Sequence, residues 1–176
     1  MTMTLLILVL IAAANPFRAA AAAPPQPERV ALALAVGGAG FLGVLAAWAS
    51  GPLLDLVDVS GPSARIAAGI ALLVVAGKDL FLSPPAAEPS LTGRTAGLFP
   101  LAFPVIFSPA FAVVAIAGAS ERGVGMTTIA IAISLVPTAA ALAVVPIART
   151  RLLAATVGAA GAAIAALLVL DGVYAI

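Results

Sequence analysis

Long apolar runs dominate the chain, and polar residues gather in the short gaps between them. Six runs stand out, at Thr4–Ala23, Val30–Ala49, Ala64–Leu82, Thr95–Gly118, Val124–Pro146 and Leu152–Ala175. Roughly 20 apolar residues at about 1.5 Å each are enough to cross a bilayer as a helix. The gaps hold turn formers: Pro24-Pro25-Gln26-Pro27, Ser50-Gly51-Pro52, Ser60-Gly61-Pro62, Ser83-Pro84-Pro85 and Ser120-Glu121-Arg122-Gly123. The pattern predicts an all-α integral membrane protein of about six transmembrane helices, organised as a single domain over residues 1–176.

Composition agrees. The chain is 64% hydrophobic and 9% charged, and its mean hydropathy is +1.25. A soluble domain is about 25% charged, so most of this surface needs lipid as its solvent. The net charge of +1 gives no reason to expect a nucleic-acid partner. The chain has no His and no Cys. Zinc–thiolate sites, histidine acid–base chemistry and disulfides are therefore outside its repertoire. No carboxylates stand at a recognisable catalytic spacing and no nucleotide-binding motif is present. The expectation is a non-enzyme without cofactor or metal.

Arg29, Arg94, Arg149 and Arg151 follow the first, third and fifth runs, whereas Arg65 and Arg122 lie on the opposite side with Asp55, Asp58 and Glu121. The positive-inside bias makes the first side cytoplasmic and both termini extracytoplasmic. The first run also has a signal-peptide reading, because it ends in the small-residue stretch Ala19–Ala23. It lacks a basic leader and is interrupted by Asn15-Pro16-Phe17-Arg18, which favours a retained helix.

An offset of 93 positions lays Asn15-Pro16 on Ser108-Pro109, Glu28-Arg29 on Glu121-Arg122, and Lys78 on Asp171. Charges are rare here, so these matches outweigh the many alanine matches. They predict two repeats, 1–83 and 94–176. Three spans per repeat force the second copy to enter from the opposite side, giving inverted repeats, a frequent transporter architecture.

The matched prolines mark the candidate site. A helix-interior proline removes a donor and frees the carbonyl four residues back. Pro16 and Pro109, preceded by polar Asn15 and Ser108, predict broken first and fourth helices, and Pro100 and Pro104 add to the fourth. Half-helix N-termini suit an anionic group, and Arg18 either pairs with such a substrate or snorkels to the interface. Thr127, Ser134 and Thr138 share one face of the fifth helix and either bind substrate or tie helices together. Asp79 and Asp171 are candidates for a coupling ion, or else interfacial charges. Gly37, Gly40, Gly43, Gly158 and Gly161 read as close-packing surfaces. Trp48 and Tyr174 read as interfacial anchors.

Asn15-Pro16, the segment Pro100-Leu101-Ala102-Phe103-Pro104 with Ser108-Pro109-Ala110, the run Leu72–Phe81 through Gly77-Lys78-Asp79, and Leu168–Val173 through Asp171-Gly172 together carry a resemblance. The chain resembles the MarC family of bacterial inner-membrane proteins, within the LysE-like transporter group. The resemblance implies a six-helix inverted-repeat transporter of the bacterial inner membrane, with Asn15-Pro16 and Ser108-Pro109 at its centre and amino-acid-like solutes among the substrates. This chain differs at Ser108, where glycine is usual, and at Lys78.

The leading expectation is a secondary transporter or exporter of a small polar or anionic solute, working by alternating access. A lipid-phosphate (polyprenyl phosphate) flippase is a second reading, which a lateral opening between helices would mark. A non-transporting membrane subunit is a third. The lipid bilayer is the obligatory partner; a homo-oligomer or a second membrane protein is left open.

Overall fold

The computed structural model describes residues 1–23, 28–82, 97–144 and 147–176. All its regular elements there are helices: α1 (Met3–Ala14), α2 (Pro16–Ala22), α3 (Arg29–Trp48), α4 (Ser50–Leu56), α5 (Gly61–Phe81), α6 (Gly97–Ile106), α7 (Pro109–Arg122), α8 (Val124–Val144) and α9 (Ile147–Val173). Four stretches are each long and apolar enough to cross a membrane, at Met3–Ala22, Arg29–Trp48, Val124–Val144 and Thr150–Val173. Two bent pairs, α4 with α5 and α6 with α7, bring the number to six if each is one span. Arg94, Val145 and Pro146 lie outside the described residues.

Helix ends fall where local chemistry places them. Ser60 caps α5 by accepting from the Ser63 amide, with Pro62 in the first turn. Gly123, at φ 80°, ends α7 in a conformation that a side chain would strain. α4 is an addition to the sequence reading, which took Ser50-Gly51-Pro52 for a turn. It is a seven-residue helix set at 100° to α5, with Leu53, Leu56 and Val57 exposed.

The irregularity of α6 follows from its prolines. Phe99 and Phe103 adopt extended angles (φ −137°, ψ 128° and φ −135°, ψ 129°) inside an otherwise helical segment. Each precedes a proline, whose ring excludes the α conformation at that position. The Phe103–Pro104 peptide is cis. α7 then leaves at 64° to α6.

The surface is inverted relative to a water-soluble protein. Phe41, Val136, Leu152, Leu167 and Tyr174 are more than half exposed, while Asn15, Arg18, Arg65, Ser108, Thr127, Ser134 and Thr138 are buried. Much of the interior is alanine, which lets backbones approach closely. α1 is central, with Leu6, Val9, Leu10, Ala13 and Ala14 fully buried.

Three helix pairs run antiparallel. In the broken pair, Gly118 faces Leu6 and Ser108 reaches Ala13. In α3 and α8, Gly40 meets Leu135 and Gly43 meets Ile131. In α5 and α9, Gly69 meets Ala165 and Val169, Gly158 meets Ala76 and Asp79, and Gly172 meets Pro62 and Ile66. Four of the five packing glycines do pack. Gly37 differs: a Cβ there would meet nothing within 4 Å.

The α5–α9 seam is tight enough to test. A Cβ on Gly69 would lie 2.6 Å from Val169 Cγ2 and 3.0 Å from the Ala165 carbonyl oxygen. Gly69→Ala is expected to destabilise the protein by about 1–3 kcal/mol, read as a lower melting temperature in detergent. Gly77→Ala on the same helix meets nothing within 4 Å and should be neutral or stabilising by up to about 1 kcal/mol.

Candidate functional site

The two proline breaks lie side by side, and one guanidinium joins them. Pro109 has no N–H, so the Val105 carbonyl loses its helical donor. Asn15, at φ 36° and ψ 90°, turns the chain between α1 and α2, so the Ala13 and Ala14 carbonyls end α1 without onward helical partners. Arg18 Nη2 donates to all three, at 2.8 Å to Ala13, 3.4 Å to Ala14 and 3.0 Å to Val105. The second lone pair of the Ala13 oxygen accepts from Ser108 Oγ at 3.2 Å. Carbonyl ends of helices carry partial negative charge, so a buried cation belongs there.

The other face of the guanidinium meets Asp79. Arg18 Nη1 lies 3.1 Å and 3.3 Å from the two carboxylate oxygens. Asn15 Nδ2 donates to Asp79 Oδ2 at 2.8 Å and to the Ala154 carbonyl at 3.0 Å. Both side chains of the ion pair are about nine-tenths shielded. The site thus draws on α1, α2, α5, α6, α7 and α9.

Asn15 and Ser108 play matched parts. Asn15 Oδ1 accepts from the Arg18 amide at 3.3 Å, and Ser108 Oγ accepts from the Phe111 amide at 3.2 Å. Each is therefore an N-cap of the half-helix that begins at Pro16 or Pro109. In this conformation these two amides are taken by the chain's own side chains. The breaks lie about 18 Å along the Met3–Ala22 span, nearer the end where α5 finishes than the other.

The remaining candidates separate. Thr127, Ser134 and Thr138 do share a fully buried face of α8. Thr127 Oγ1 donates to the carbonyl of Gly123, just before α8, and Ser134 Oγ to the Ile131 carbonyl within α8. Thr138 Oγ1 alone among the described buried side-chain polar atoms has no partner. Asp171 belongs to a different place, about 25 Å along α9 from Ala154. There Arg65 Nη1 meets Asp171 Oδ2 at 2.5 Å, and Arg65 Nε meets Glu121 Oε1 at 2.5 Å. The amino terminus pairs with Glu121 at 2.8 Å, and Arg122 Nε donates to the Met1 carbonyl at 2.6 Å. This second cluster ties α1, α5, α7 and α9 at the far end of the bundle. Sequence reasoning left Arg65 out of it; the signal was its pairing side with Glu121 in the charge count. Among the described residues no group of His, Cys, Asp or Glu could hold a metal ion.

No known family, curated protein or solved structure matches the chain.

Asp79→Leu leaves Arg18 charged in a largely shielded site and is expected to cost about 3–5 kcal/mol. Arg18→Met combined with Asp79→Leu should cost less than the two single changes added together, as a double-mutant cycle on detergent melting would measure. Thr138→Val removes an unpaired hydroxyl and should leave the melting temperature unchanged or raised. Ser108→Ala should lower stability by about 0.5–2 kcal/mol through the lost cap.

Proposed function

We propose that this protein is a secondary transporter of a small anionic or zwitterionic solute, with the Arg18–Asp79 pair as its binding and coupling site. The observation that carries this reading is a buried, nearly saturated guanidinium held where two broken helices meet. Ionisable groups inside a membrane protein are expensive and commonly serve function. Arg18 has two unlike faces. Its Nη2 is anchored to three backbone carbonyls, which cannot leave without unravelling the breaks. Its Nη1 holds one carboxylate, a partner that a substrate carboxylate or phosphate can replace in kind.

That division makes Asp79 and a substrate anion alternatives for Nη1: where one holds it, the other is released. Arg18 is the charged group bonded to Asp79; α9 brings Ala154 and Gly158 against it, and Lys78 on α5 is exposed.

The reading includes the inverted repeat. α3 and α5 lie antiparallel to α8 and α9, their counterparts 93 positions on, and α3 packs on α6 and α7 while α8 packs on α1 and α2. This exchange supports a twofold relation in the membrane plane, about which one half would rock against the other. The links of the Arg65 cluster all cross between the halves, as a gate on one side would require. The resemblance to the MarC family points the same way, as does the charge bias that puts both termini outside a bacterial inner membrane.

The test is binding to the purified protein, read as a rise in melting temperature, across neutral and acidic amino acids, organic anions and short polyprenyl phosphates. The expected result is a ligand that stabilises the wild type, is lost in Arg18→Gln, and binds more tightly in Asp79→Asn, where the competing carboxylate is gone. A folded Arg18→Gln that binds the same ligand as the wild type would overturn the site. No response to any probe, with a second protein co-purifying in stoichiometric amount, would favour a membrane subunit instead.

A further inference from the structure

Between the first half of α3 and the last turns of α8 lies a groove of about 470 Å³. Leu32, Ala33, Val36 and Gly37 line it from α3; Ala139, Leu142 and Ala143 line it from α8. The spacings of three and four put each set on one helix face. The groove exists because its lipid-facing positions are small. Ala33, Gly37, Ala139 and Ala143 are exposed, and a Cβ at Gly37 would meet no atom within 4 Å.

The lining has one charged member, Arg29, the first residue of α3. Among the described residues Arg29 takes part in no ion pair. The Glu28 side chain makes no capping hydrogen bond to α3, so no side-chain cap competes for that helix end. Arg29 and the helix terminus therefore both favour an anion at the mouth. Glu28 lowers the local charge, which restricts the attraction to a headgroup that reaches Arg29 itself. From Arg29 to Gly37 the groove runs about 12 Å, most of the depth of one leaflet of a hydrocarbon core about 30 Å thick.

We infer that this groove is a binding site for an anionic phospholipid, with one acyl chain between α3 and α8 and its phosphate on Arg29. The occupant follows from the position: the groove opens sideways onto the apolar surface, where acyl chains are the solvent, and a cation stands at its headgroup end. The site is independent of Arg18 and Asp79, so it stands or falls separately from the transport reading.

The experiment uses delipidated full-length protein in a neutral detergent, titrated with dioleoyl phosphatidylglycerol, dioleoyl phosphatidylcholine or inorganic phosphate. Native mass spectrometry counts bound lipid and the melting temperature reports stabilisation. Phosphatidylglycerol should bind about fivefold more tightly than phosphatidylcholine, a preference worth one basic contact. Arg29→Gln should abolish that preference, and Glu28→Gln should increase it. Gly37→Leu fills open space, so it should keep the lipid-free melting temperature and lose binding of both lipids; Ala139→Leu serves the same purpose if that variant does not fold. Equal binding of the two lipids by the wild type, or undiminished phosphatidylglycerol binding with the groove filled, would sink the proposal. So would stabilisation by inorganic phosphate equal to that by the lipid, which would mark a plain anion site.

Discussion

A broken helix in a membrane strands backbone carbonyls, and no water is at hand to satisfy them. The rest of this bundle depends on how that is solved. Pro109 and the turn at Asn15 strand Val105, Ala13 and Ala14, and a single Arg18 nitrogen collects all three. The arginine is itself too costly to bury alone, so Asp79 on α5 must face it, with Asn15 holding the carboxylate from the other side. Asn15 in turn reaches the Ala154 carbonyl, which brings in α9. One unsatisfied backbone thus propagates into a polar network spanning six elements.

The alanine and glycine content serves the same end. Polar groups this short-ranged need backbones that approach closely, and large side chains would hold the helices apart. A Cβ on Gly158 would come within 3.1 Å of Asp79 Cβ and the Ala76 carbonyl oxygen, so its absence lets α9 approach α5 beside the carboxylate. Gly43 leaves room for Phe111 and Ile131 where α3 crosses α7 and α8. Where the small residues face outward instead, as at Ala33, Gly37, Ala139 and Ala143, the result is a groove rather than a contact.

Two ionic centres divide the molecule along its length. The Arg18–Asp79 centre lies among helix breaks, where moving a partner changes backbone satisfaction. The Arg65–Glu121–Asp171 cluster lies among helix ends, with Asp171 half exposed. Arg65 and Glu121 are shielded nearly as fully as the first pair, and water reaches this cluster through Asp171.

The apolar runs alone determined that the chain is helical and built for a membrane, because runs of that length have no other solvent. The prolines alone determined where the first and fourth helices break, since a missing N–H and a ring clash are local facts. Asn15 and Ser108 were legible as partners of those breaks for the same reason; Arg18 was legible only as a charge for an anionic substrate or for the interface, and the structure sets it on the stranded carbonyls instead. The choice of partner was not legible. Arg18 to Asp79 and Arg65 to Asp171 join residues 61 and 106 positions apart, and only the packing of α2 and α5 against α9 brings them within reach. That packing also separates Asp79 from Asp171, which look alike in sequence. It turns Thr127 and Ser134 onto nearby backbone carbonyls and leaves Thr138 unpaired, and it opens a groove at Gly37. Local sterics are written along the chain; which charges meet depends on how whole helices stack, and that is a property of the bundle.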